Sequence, residues 1–378
     1  MSDDTTPRPL RRVELRRVEM PLVTPFRTSF GVETRKDVLL VRAELGDGDA
    51  EGWGECVALS EPTYSTEYVD GAQAVIEQHL LPRLFAAGEL TATQVGPVLA
   101  AIHGHHMAKA ALEMAVLDAE LRAGARSFAD AIGAEVTAIP SGVSVGIHDS
   151  IDALLGAVQG YVDEGYVRIK LKIEPGWDIE PVAAVRAMIG ADTPLQVDAN
   201  TAYQRTDGAH LAQLDRYDLL LIEQPLPEYD LLGHAQLAAE VTTPICLDES
   251  LTSAAVTADA IALGACEVAN VKPGRVGGYL EAIRIHDLCR AHDIPTWCGG
   301  MLETGIGRAA NAGLAGLPGF TLPGDISAAS RFYESDIVTS PITISDGHVA
   351  VPRTPGLGFD IDHAALDSVT TSRAVVSG

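Results

Sequence analysis

Residues 166–173 read YVRIKLKI and alternate between charged and apolar side chains. Ile169, Leu171 and Ile173 would lie on one face of a β-strand, because successive side chains of a strand point to opposite faces. The other face would carry three basic residues, which are Arg168, Lys170 and Lys172. A surface strand with one solvated face explains this pattern, and so does a strand whose lysines point into a buried site.

The bulk composition restricts the class of protein and its partners. The chain has 378 residues, enough for two domains, with 47% hydrophobic and 21% charged residues, as in soluble globular proteins. Its net charge of −25 argues against nucleic acid or an anionic membrane as partner, since both require a basic surface. The first twenty residues lack a signal-peptide core, and no apolar run approaches the ~18 residues of a membrane span. Five scattered cysteines favour reduced thiols, so a cytoplasmic location is expected.

The pattern of the chain changes near residue 140. Residues 10–57 predict an antiparallel meander, and residues 66–86 and 106–123 predict helices, the second with an apolar stripe. After residue 140, eight short apolar runs alternate with helical stretches, and they are PSGVSVG, YVRIKLKI, PLQVDAN, LLLIEQP, PICLDES, EVANVKP, IPTWCGG and FTLPGD. Repeated β–α units indicate a parallel sheet, and eight of them favour a closed barrel over an open sheet.

Three acidic residues occupy matching places in successive predicted strands. Asp198 ends the run LQVD, Glu223 ends LLIE and Asp248 ends ICLD, each 25 residues after the one before. These carboxylates would lie side by side at the C-terminal rim of the barrel, where the active sites of this fold lie. Close carboxylates repel one another unless a cation offsets them, and oxygen ligands select a hard ion such as Mg²⁺ or Mn²⁺. Separate acids that cap helices are the alternative, but three in register favour a metal site.

Two lysines continue this spacing on either side of the acids. Lys172 precedes Asp198 by 26 residues and Lys272 follows Asp248 by 24, so both lysines would lie at the rim on opposite strands, two and six. A metal-bound carboxylate substrate would then have one amine on each face of its α-carbon, and the metal would stabilise the enediolate formed when the α-proton leaves. A desolvated lysine near cations is expected to have a lowered pKa and to act as a base, with Lys170 tuning Lys172.

Residues beside these groups allow two interpretations. Asn200 and Glu249 would orient the metal ligands or hold the nearby lysines, and ordinary polar loop residues explain them equally well. The glycine-rich stretch KPGRVGG, at 272–278, is similar to a phosphate-binding loop, but a tight backbone turn at the rim explains it more simply.

The motifs KLK, VDAN, IEQP, LDES, KPG and GGMLETGIGRAA, in this order, resemble the enolase superfamily and, within it, the muconate-lactonizing subgroup. The resemblance runs along essentially the whole chain and is strongest to the branch of o-succinylbenzoate synthases and N-succinylamino acid (N-acylamino acid) racemases. It implies an α/β fold, a (β/α)7β-type modified TIM barrel over residues 136–328. An α+β capping domain would be built from residues 1–135 and from the C-terminal segment 329–378, which returns to it.

The resemblance also implies roles for the residues already singled out. Asp198, Glu223 and Asp248 would hold Mg²⁺, with Mn²⁺ or other divalent ions as substitutes. In racemisation, one of Lys172 and Lys272 would remove the α-proton and the other would return it. In o-succinylbenzoate formation, a step of menaquinone biosynthesis, Lys172 would be the base of a syn dehydration and Lys272 would stabilise the anion. The partner would be a small-molecule carboxylate, and the subgroup suggests a homo-oligomer.

In the fold so implied, loops 24–31 and 58–65 of the capping domain close the barrel mouth. Their aromatic side chains suit a hydrophobic or acyl group, although packing within the domain explains each of them equally well. The candidate substrate-binding residues are Phe26, Phe30 and Tyr64 from the capping domain and Ser144, Gly300, Met301, Glu303 and Phe332 from the barrel end.

The residues of two predicted strands distinguish this chain from enzymes of the same superfamily with other activities. The seventh run, IPTWCGGM, contains no histidine, unlike mandelate-racemase-like enzymes and many acid-sugar dehydratases. A dipeptide epimerase would be expected to carry an acidic D-x-D at the eighth strand, where this chain has only Asp325 followed by Ile and Ser. Muconate-type cycloisomerase and dipeptide epimerase remain as alternatives, together with a metal-binding barrel that has no catalytic activity.

Overall fold

The structure, a computed structural model, describes residues 6–378. Its first part is built on three long strands, β1 (Arg8–Thr28), β2 (Gly31–Leu45) and β3 (Ala50–Cys56). β2 pairs antiparallel with both β1 and β3, which confirms the predicted meander. The elements that follow are α1 (Val69–Val75), a π-helical turn (Ile76–Leu80), α2 (Leu81–Ala86), β4 (Glu89–Leu90), α3 (Ala92–Leu99), α4 (His106–Ala123) and α5 (Phe128–Ile132). We call this part, up to α5, the cap.

Helix α4 has the predicted bounds but is buried on nearly all sides rather than along one stripe. Its buried residues include two acids, Glu113 and Asp118. The close packing of α4 on β3 follows from the GWGEC motif: a Cβ at Gly54 would lie only 2.0 Å from the carbonyl oxygen of Ala111. Only glycine at this position lets the strand and the helix backbone approach so closely.

Seven parallel strands form the second sheet and curl into a barrel. The strands and helices of this part are β5 (Ala138–Pro140), β6 (Gly142–Val145), α6 (Ile151–Asp163), β7 (Arg168–Lys172), α7 (Ile179–Ile189), β8 (Leu195–Asp198), α8 (Gly208–Leu211), β9 (Ile222–Glu223), α9 (Leu231–Ala238), β10 (Ile245–Leu247), α10 (Ala254–Ala262), β11 (Val268–Val271), α11 (Pro273–Val276), α12 (Tyr279–Ala291), β12 (Thr296–Cys298) and α13 (Gly305–Leu314). Turns of 3₁₀ helix span Arg205–Asp207, Ala212–Tyr217 and Ala329–Arg331. The sheet runs in chain order from β6 to β12, which confirms the predicted α/β barrel class.

The eighth predicted strand, FTLPGD, closes the barrel through isolated bridges instead of a regular ladder. β12 and β6 are the two edge strands of the sheet. Phe320 bridges to Thr296 of β12, and Gly324 bridges to Ser141, the residue before β6. The N–H of Asp325 donates to the carbonyl oxygen of Cys298 at 3.0 Å. Pro323 has no N–H to donate, so a continuous ladder is not available to this segment.

The C-terminal residues contact both parts of the molecule. The hairpin of β13 (Ile344–Ser345) and β14 (His348–Ala350) pairs with β5 at the start of the barrel. After α14 (His363–Val369), the last strand, β15 (Thr370–Ser377), pairs antiparallel with β1 of the cap. The five cysteines are all buried and unpaired, in agreement with the expected reduced thiols. Within residues 6–378, no helix has both the length and the apolar character needed to cross a membrane.

A buried carboxylate of α4 joins the cap to the barrel. Oε1 of Glu113 accepts the N–H of Leu280, in the first turn of α12, at 3.0 Å. Helix N-termini have unpaired N–H groups that attract negative charge. Burial nevertheless raises the pKa of Glu113 to about 8, and the backbone N–H groups whose hydrogen bonds it accepts offset only part of this rise.

This raised pKa predicts a specific dependence of stability on pH. The folded protein holds the proton of Glu113 more tightly than the unfolded chain, whose carboxyl has its usual pKa near 4.5. The contribution of this group to the free energy of unfolding is therefore complete below the unfolded pKa and is lost as pH rises towards 8. Glu113→Gln keeps an oxygen acceptor but cannot ionise, so we expect its melting temperature to fall less steeply between pH 5 and 9 than that of the wild type. Calorimetric melting curves with parallel pH dependence for the two proteins would contradict this expectation.

Candidate active site

Strand β7 has no solvated face. All five of its residues are buried, and Lys170 and Lys172 line a cavity at the end of the barrel. Arg168 lies deeper: its Nη1 is 2.9 Å from Oδ1 of Asp325, and its guanidinium lies 5.3 Å from the ring centre of Trp297. The alternating pattern therefore belongs to a strand whose charged face lines the inside of the barrel.

A chain of contacts begins at Lys172. Its Nζ lies 2.6 Å from Oδ2 of Asp198 and donates to Oδ1 of Asn200 at 2.7 Å. Asn200 in turn donates its N–H to Oδ1 of Asp198 at 3.0 Å, and its Nδ2 donates to Oε1 of Glu249 at 2.9 Å. The structure thus brings Asn200 to both Asp198 and Lys172, whereas Glu249 reaches this pair only through its bond to Asn200.

Lys170 lies among three carboxylates. Its Nζ is 2.5 Å from Oδ2 of Asp325, 3.0 Å from Oε2 of Glu223 and 3.3 Å from Oδ2 of Asp198. The same oxygen of Asp198 contacts Lys172, so one carboxylate connects the two lysines. The amine of Lys170 is 4.6 Å from the ring centre of Trp297, which stabilises its charge further.

Lys272 faces this group from the opposite side of the barrel. Its Nζ lies 2.7 Å from Oδ2 of Asp248 and donates to the hydroxyl oxygen of Tyr64 at 3.2 Å. The other oxygen of Asp248 lies 3.0 Å from Nε of Arg275. Because Tyr64 belongs to the cap, the cap contacts the charged rim of the barrel directly.

The three acids differ in their electrostatic environment. Burial raises the pKa of Glu223 to about 8, and the neighbouring charge of Asp198 adds to this rise. Burial would also raise the pKa of Asp198, but the ammonium groups of Lys172 and Lys170 outweigh it and hold that pKa well below its usual range. Close, buried like charges are thus present at the rim, and lysines offset part of their repulsion.

The pKa of Lys272 is governed by a carboxylate in direct contact with its amine. Burial alone would lower it, but the Asp248 carboxylate beside the amine raises the pKa well above its ordinary value. Burial also acts to lower the pKa of Lys170, but the charge of Asp325 and the other carboxylates outweighs it, so this pKa is raised as well. The lowered pKa expected for a lysine beside a divalent cation and a second lysine stays a prediction, because these carboxylates are also the candidate ligands of that cation.

The donor set at the rim fits a hard divalent cation. Asp198 and Glu223 are paired neighbours on β8 and β9, and Asp248 directly follows β10; all three are fully buried. In residues 6–378 no three acidic, His or Cys side chains are already grouped closely enough to hold a metal ion, and each rim acid contacts a lysine amine. Carboxylate oxygens are the ligands that Mg²⁺ prefers, and a cation would relieve the repulsion evident at Glu223.

A cavity lies beside these groups. Lys170, Lys172 and Lys272 line one end of it. All the residues predicted to bind substrate also line it, namely Phe26, Phe30, Tyr64, Ser144, Gly300, Met301, Glu303 and Phe332. Further lining residues that the sequence did not single out include Glu33, Leu59 and Leu302.

Aromatic side chains of the cap form much of the apolar wall. Phe26 packs edge-on against Phe332 with ring centres 6.2 Å apart, and Phe30 lies 5.9 Å from Tyr64. On the barrel side, the hydroxyl of Ser144 is buried without a hydrogen-bond partner in the described chain. A cavity with an apolar wall, a free hydroxyl and a charged end suits a small carboxylate that carries an apolar or acyl group.

Several residues of the site were missed by sequence reasoning. Asp325 was considered only as half of an acidic pair, yet it contacts both Lys170 and Arg168. Continuing the 24- to 26-residue spacing of the rim residues beyond Lys272 leads to residues 296–298 and then to 320–324, so the pattern ends just before Asp325 and does not single it out. Arg275 lies in the glycine-rich turn, where nothing in the local pattern indicates its contact with Asp248.

Comparisons with known proteins match both parts of the chain. Residues 11–133 match the family model "Mandelate racemase / muconate lactonizing enzyme, N-terminal domain", and residues 153–365 match "Enolase C-terminal domain-like". An N-succinylamino acid racemase from Amycolatopsis sp. is 62% identical over 96% of this chain and 98% of its own length. An o-succinylbenzoate synthase from Geobacillus kaustophilus is 44% identical over 95% of both chains.

Solved structures and more distant relatives give the same picture. A crystal structure of an enolase superfamily member from Listeria innocua superposes with a TM-score of 0.93 at 40% identity and covers 98% of this chain and 99% of its own. A chloromuconate cycloisomerase from Pseudomonas sp. is only 26% identical over 92% of this chain.

The buried contacts of Asp325 predict a large effect on stability. Asp325→Asn keeps the shape of the side chain but removes the negative charge between Lys170 and Arg168. Breaking a buried ion pair typically costs about 3–5 kcal/mol, because it leaves a charge without compensation. We expect a loss of this size in the free energy of unfolding measured by urea denaturation.

Asp149→Asn is the matched control. Asp149 is fully exposed and contacts Arg27 at 3.3 Å, so its loss should cost less than about 1 kcal/mol. Equal losses in the free energy of unfolding would show that the buried contacts of Asp325 stabilise the protein no more than the exposed contact of Asp149.

Proposed function

The chain belongs to the enolase superfamily, in its mandelate racemase / muconate lactonizing enzyme branch, and from this membership we propose that it removes a proton from the carbon next to a substrate carboxylate. The proposed activities are o-succinylbenzoate synthase, N-succinyl- or N-acylamino acid racemase, or both from one site. One observation carries the proposal: Lys172 and Lys272 extend from strand ends on opposite sides of the barrel and line one cavity. Relatives with these two names cover nearly the whole chain.

In racemisation, the two amines on opposite faces of the α-carbon have complementary roles in proton transfer. One of Lys172 and Lys272 takes the α-proton, and the other delivers a proton to the opposite face. Which lysine acts first depends on the enantiomer bound. Asn200 supports this role, because its bond to Lys172 orients the amine beside the cavity.

In o-succinylbenzoate formation, the same lysines act differently. Lys172 takes the proton and then returns it to the departing hydroxyl on the same face, as a syn dehydration requires. Lys272 remains charged and stabilises the developing negative charge. The contact of Lys272 with Asp248 supports a charged amine at this position.

We propose that Asp198, Glu223 and Asp248 hold Mg²⁺, with Mn²⁺ or another divalent ion as substitute. When bound, the ion would supply positive charge for the carboxylate of the substrate and for its enediolate form. Asn200 and Glu249 would orient this set, since Asn200 bonds to Asp198 and Glu249 bonds to Asn200. Lys170 would hold Asp198 and Glu223 in place through its shared contacts.

The alternatives have weaker support. Muconate-type cycloisomerases are distant relatives, as the 26% identity of the Pseudomonas enzyme illustrates. A dipeptide epimerase would need a free acidic group for an amine, but Asp325 is already in contact with Arg168 and Lys170. A barrel that binds metal without catalysis gives no reason for two lysines to line one cavity.

The setting of the activity is also part of the proposal. We infer a cytoplasmic enzyme that acts on a small-molecule carboxylate and assembles as a homo-oligomer. A synthase role would place it in menaquinone biosynthesis, and an assay of both reactions with one preparation would decide between the roles.

The two-lysine mechanism predicts the behaviour of a lysine variant. Lys172→Ala removes one of the two proton carriers, so exchange of the α-hydrogen in deuterated water should fall by about 10³-fold or more for the N-succinylamino acid enantiomer whose α-hydrogen faces Lys172. Proton NMR of the substrate measures this exchange. Lys109→Ala is the control, because Lys109 lies on α4 and bonds to the carbonyl oxygen of Ile102, away from the cavity. Undiminished exchange of both enantiomers in Lys172→Ala would refute the mechanism.

The proposed metal site predicts a response to chelation. Treatment with EDTA should abolish both reactions, and added Mg²⁺ should restore them, because the rim acids need a cation to hold the substrate carboxylate. Glu223→Gln should weaken Mg²⁺ binding in calorimetric titration, whereas Glu228→Gln, in the loop after β9, should not. Full activity of a preparation shown to be metal-free would overturn this part of the proposal.

A further inference from the structure

A buried carboxylate of the cap contacts the barrel next to the cavity. Glu55 lies near the end of β3 and is only 3% exposed. Its Oε1 accepts the N–H of Thr304 at 2.9 Å, and its Oε2 accepts the hydroxyl of Thr304 at 2.8 Å and the N–H of Gly307 at 3.0 Å. Because Thr304 is the N-cap residue of α13, Glu55 satisfies N–H groups that the helix itself leaves unpaired.

These bonds end a segment that forms one wall of the cavity. We call residues 299–304, between β12 and α13, the rim loop. Four of its residues line the cavity, and they are Gly300, Met301, Leu302 and Glu303. Within the loop, Oε1 of Glu303 accepts the N–H of Met301 at 2.8 Å. Glu55 therefore fixes the far end of a loop whose shape determines part of the cavity wall.

Glu55 and α13 are closely packed at Gly307, which has no space for a side chain. A Cβ at Gly307 would lie 3.0 Å from Oε2 of Glu55 and 2.8 Å from Cγ of Glu303. Any larger residue at position 307 would displace either the carboxylate or the rim loop.

The position of Glu55 is electrostatically costly. Burial, together with the nearby charge of Glu303, raises the pKa of Glu55 to about 7. The amine of Lys36, itself buried, attracts both carboxylates while it donates to the carbonyl oxygen of Val57 at 3.0 Å. Glu55, Glu303 and Lys36 are therefore three buried ionisable groups close to one another behind the cavity wall. Apolar side chains could join the cap to the barrel here with a smaller desolvation penalty.

We propose that Glu55 is a positioning residue that holds the rim loop from the cap and thereby sets the dimensions of the substrate cavity. It does not line the cavity, so it acts through Thr304 and the rim loop rather than by touching substrate. The inference rests on the proposed function in so far as the cavity holds an N-acylamino acid or a related carboxylate. It assigns to the cap a control over substrate selection that is separate from its aromatic wall residues.

The chain offers a matched control in Glu113. Like Glu55, it is a buried cap glutamate that accepts a backbone N–H in the first turn of a barrel helix. Its partner is Leu280 of α12, which lies outside the cavity lining. A purely structural role predicts the same consequences for Glu55→Gln and Glu113→Gln.

The first test compares steady-state kinetics of the two variants with those of the wild type. Glutamine keeps the size of the side chain, but its NH₂ group cannot accept the bonds that one carboxylate oxygen accepts. For N-acetyl- and N-succinylmethionine, Glu55→Gln should raise KM about tenfold and change the ratio of the two KM values, with kcat within about threefold. Glu113→Gln should leave both constants within about twofold. Equal effects in the two variants would overturn the proposal.

The second test does not depend on turnover. Hydrogen–deuterium exchange of the Mg²⁺-loaded protein should be faster over residues 300–307 in Glu55→Gln, whereas Glu113→Gln should accelerate exchange only near Leu280. Unchanged exchange over the rim loop in Glu55→Gln would refute the positioning role, whatever the activity. Absence of turnover in the wild type with either substrate would instead count against the proposed racemase function, and the exchange data would still decide the role of Glu55.

Discussion

Compensation of buried charge at the barrel rim is the constraint on which the rest of this structure depends. Three carboxylates and three lysines lie almost completely out of water, where an unpaired charge is very unfavourable. Parallel pairing solves the problem by register, since Lys172 is the neighbour of Asp198 across β7 and β8, and Asp198 is the neighbour of Glu223. A slip of one residue would turn each charged side chain to the other face, so electrostatics and strand register determine each other.

The repeat length of the β–α units made the rim predictable from the sequence. Units of similar length bring strand ends to the same height, so acids spaced 25 residues apart had to lie together once a barrel was inferred. The barrel class followed from the same repetition. The burial of α4 was underestimated, because its apolar stripe shows which side faces β3 but does not reveal the barrel helices that cover its other sides.

Contacts between distant segments were beyond the reach of this reasoning. Glu55 and Thr304 are 249 residues apart in the chain, and no periodic pattern connects a cap strand to the start of a barrel helix. The contact of Arg275 with Asp248 arises because a short helix, α11, begins directly after Lys272 and turns the side chain back to the rim. Such contacts depend on how separate elements pack together, whereas the rim ladder depends only on the length of a repeated unit.

The barrel and the cap contribute different things to the proposed site. The barrel supplies the charged groups, and these would be the same for any carboxylate whose α-proton is removed. The cap supplies Phe26, Phe30 and Tyr64 and holds the rim loop through Glu55, so it determines which substrate fits against the lysines. Because Tyr64 also bonds to Lys272 and Asp248, closure of the cap and the placement of the second amine are physically linked. Discrimination between substrates therefore requires changes in the cap and the rim loop, while the proton-transfer groups of the barrel can stay unchanged.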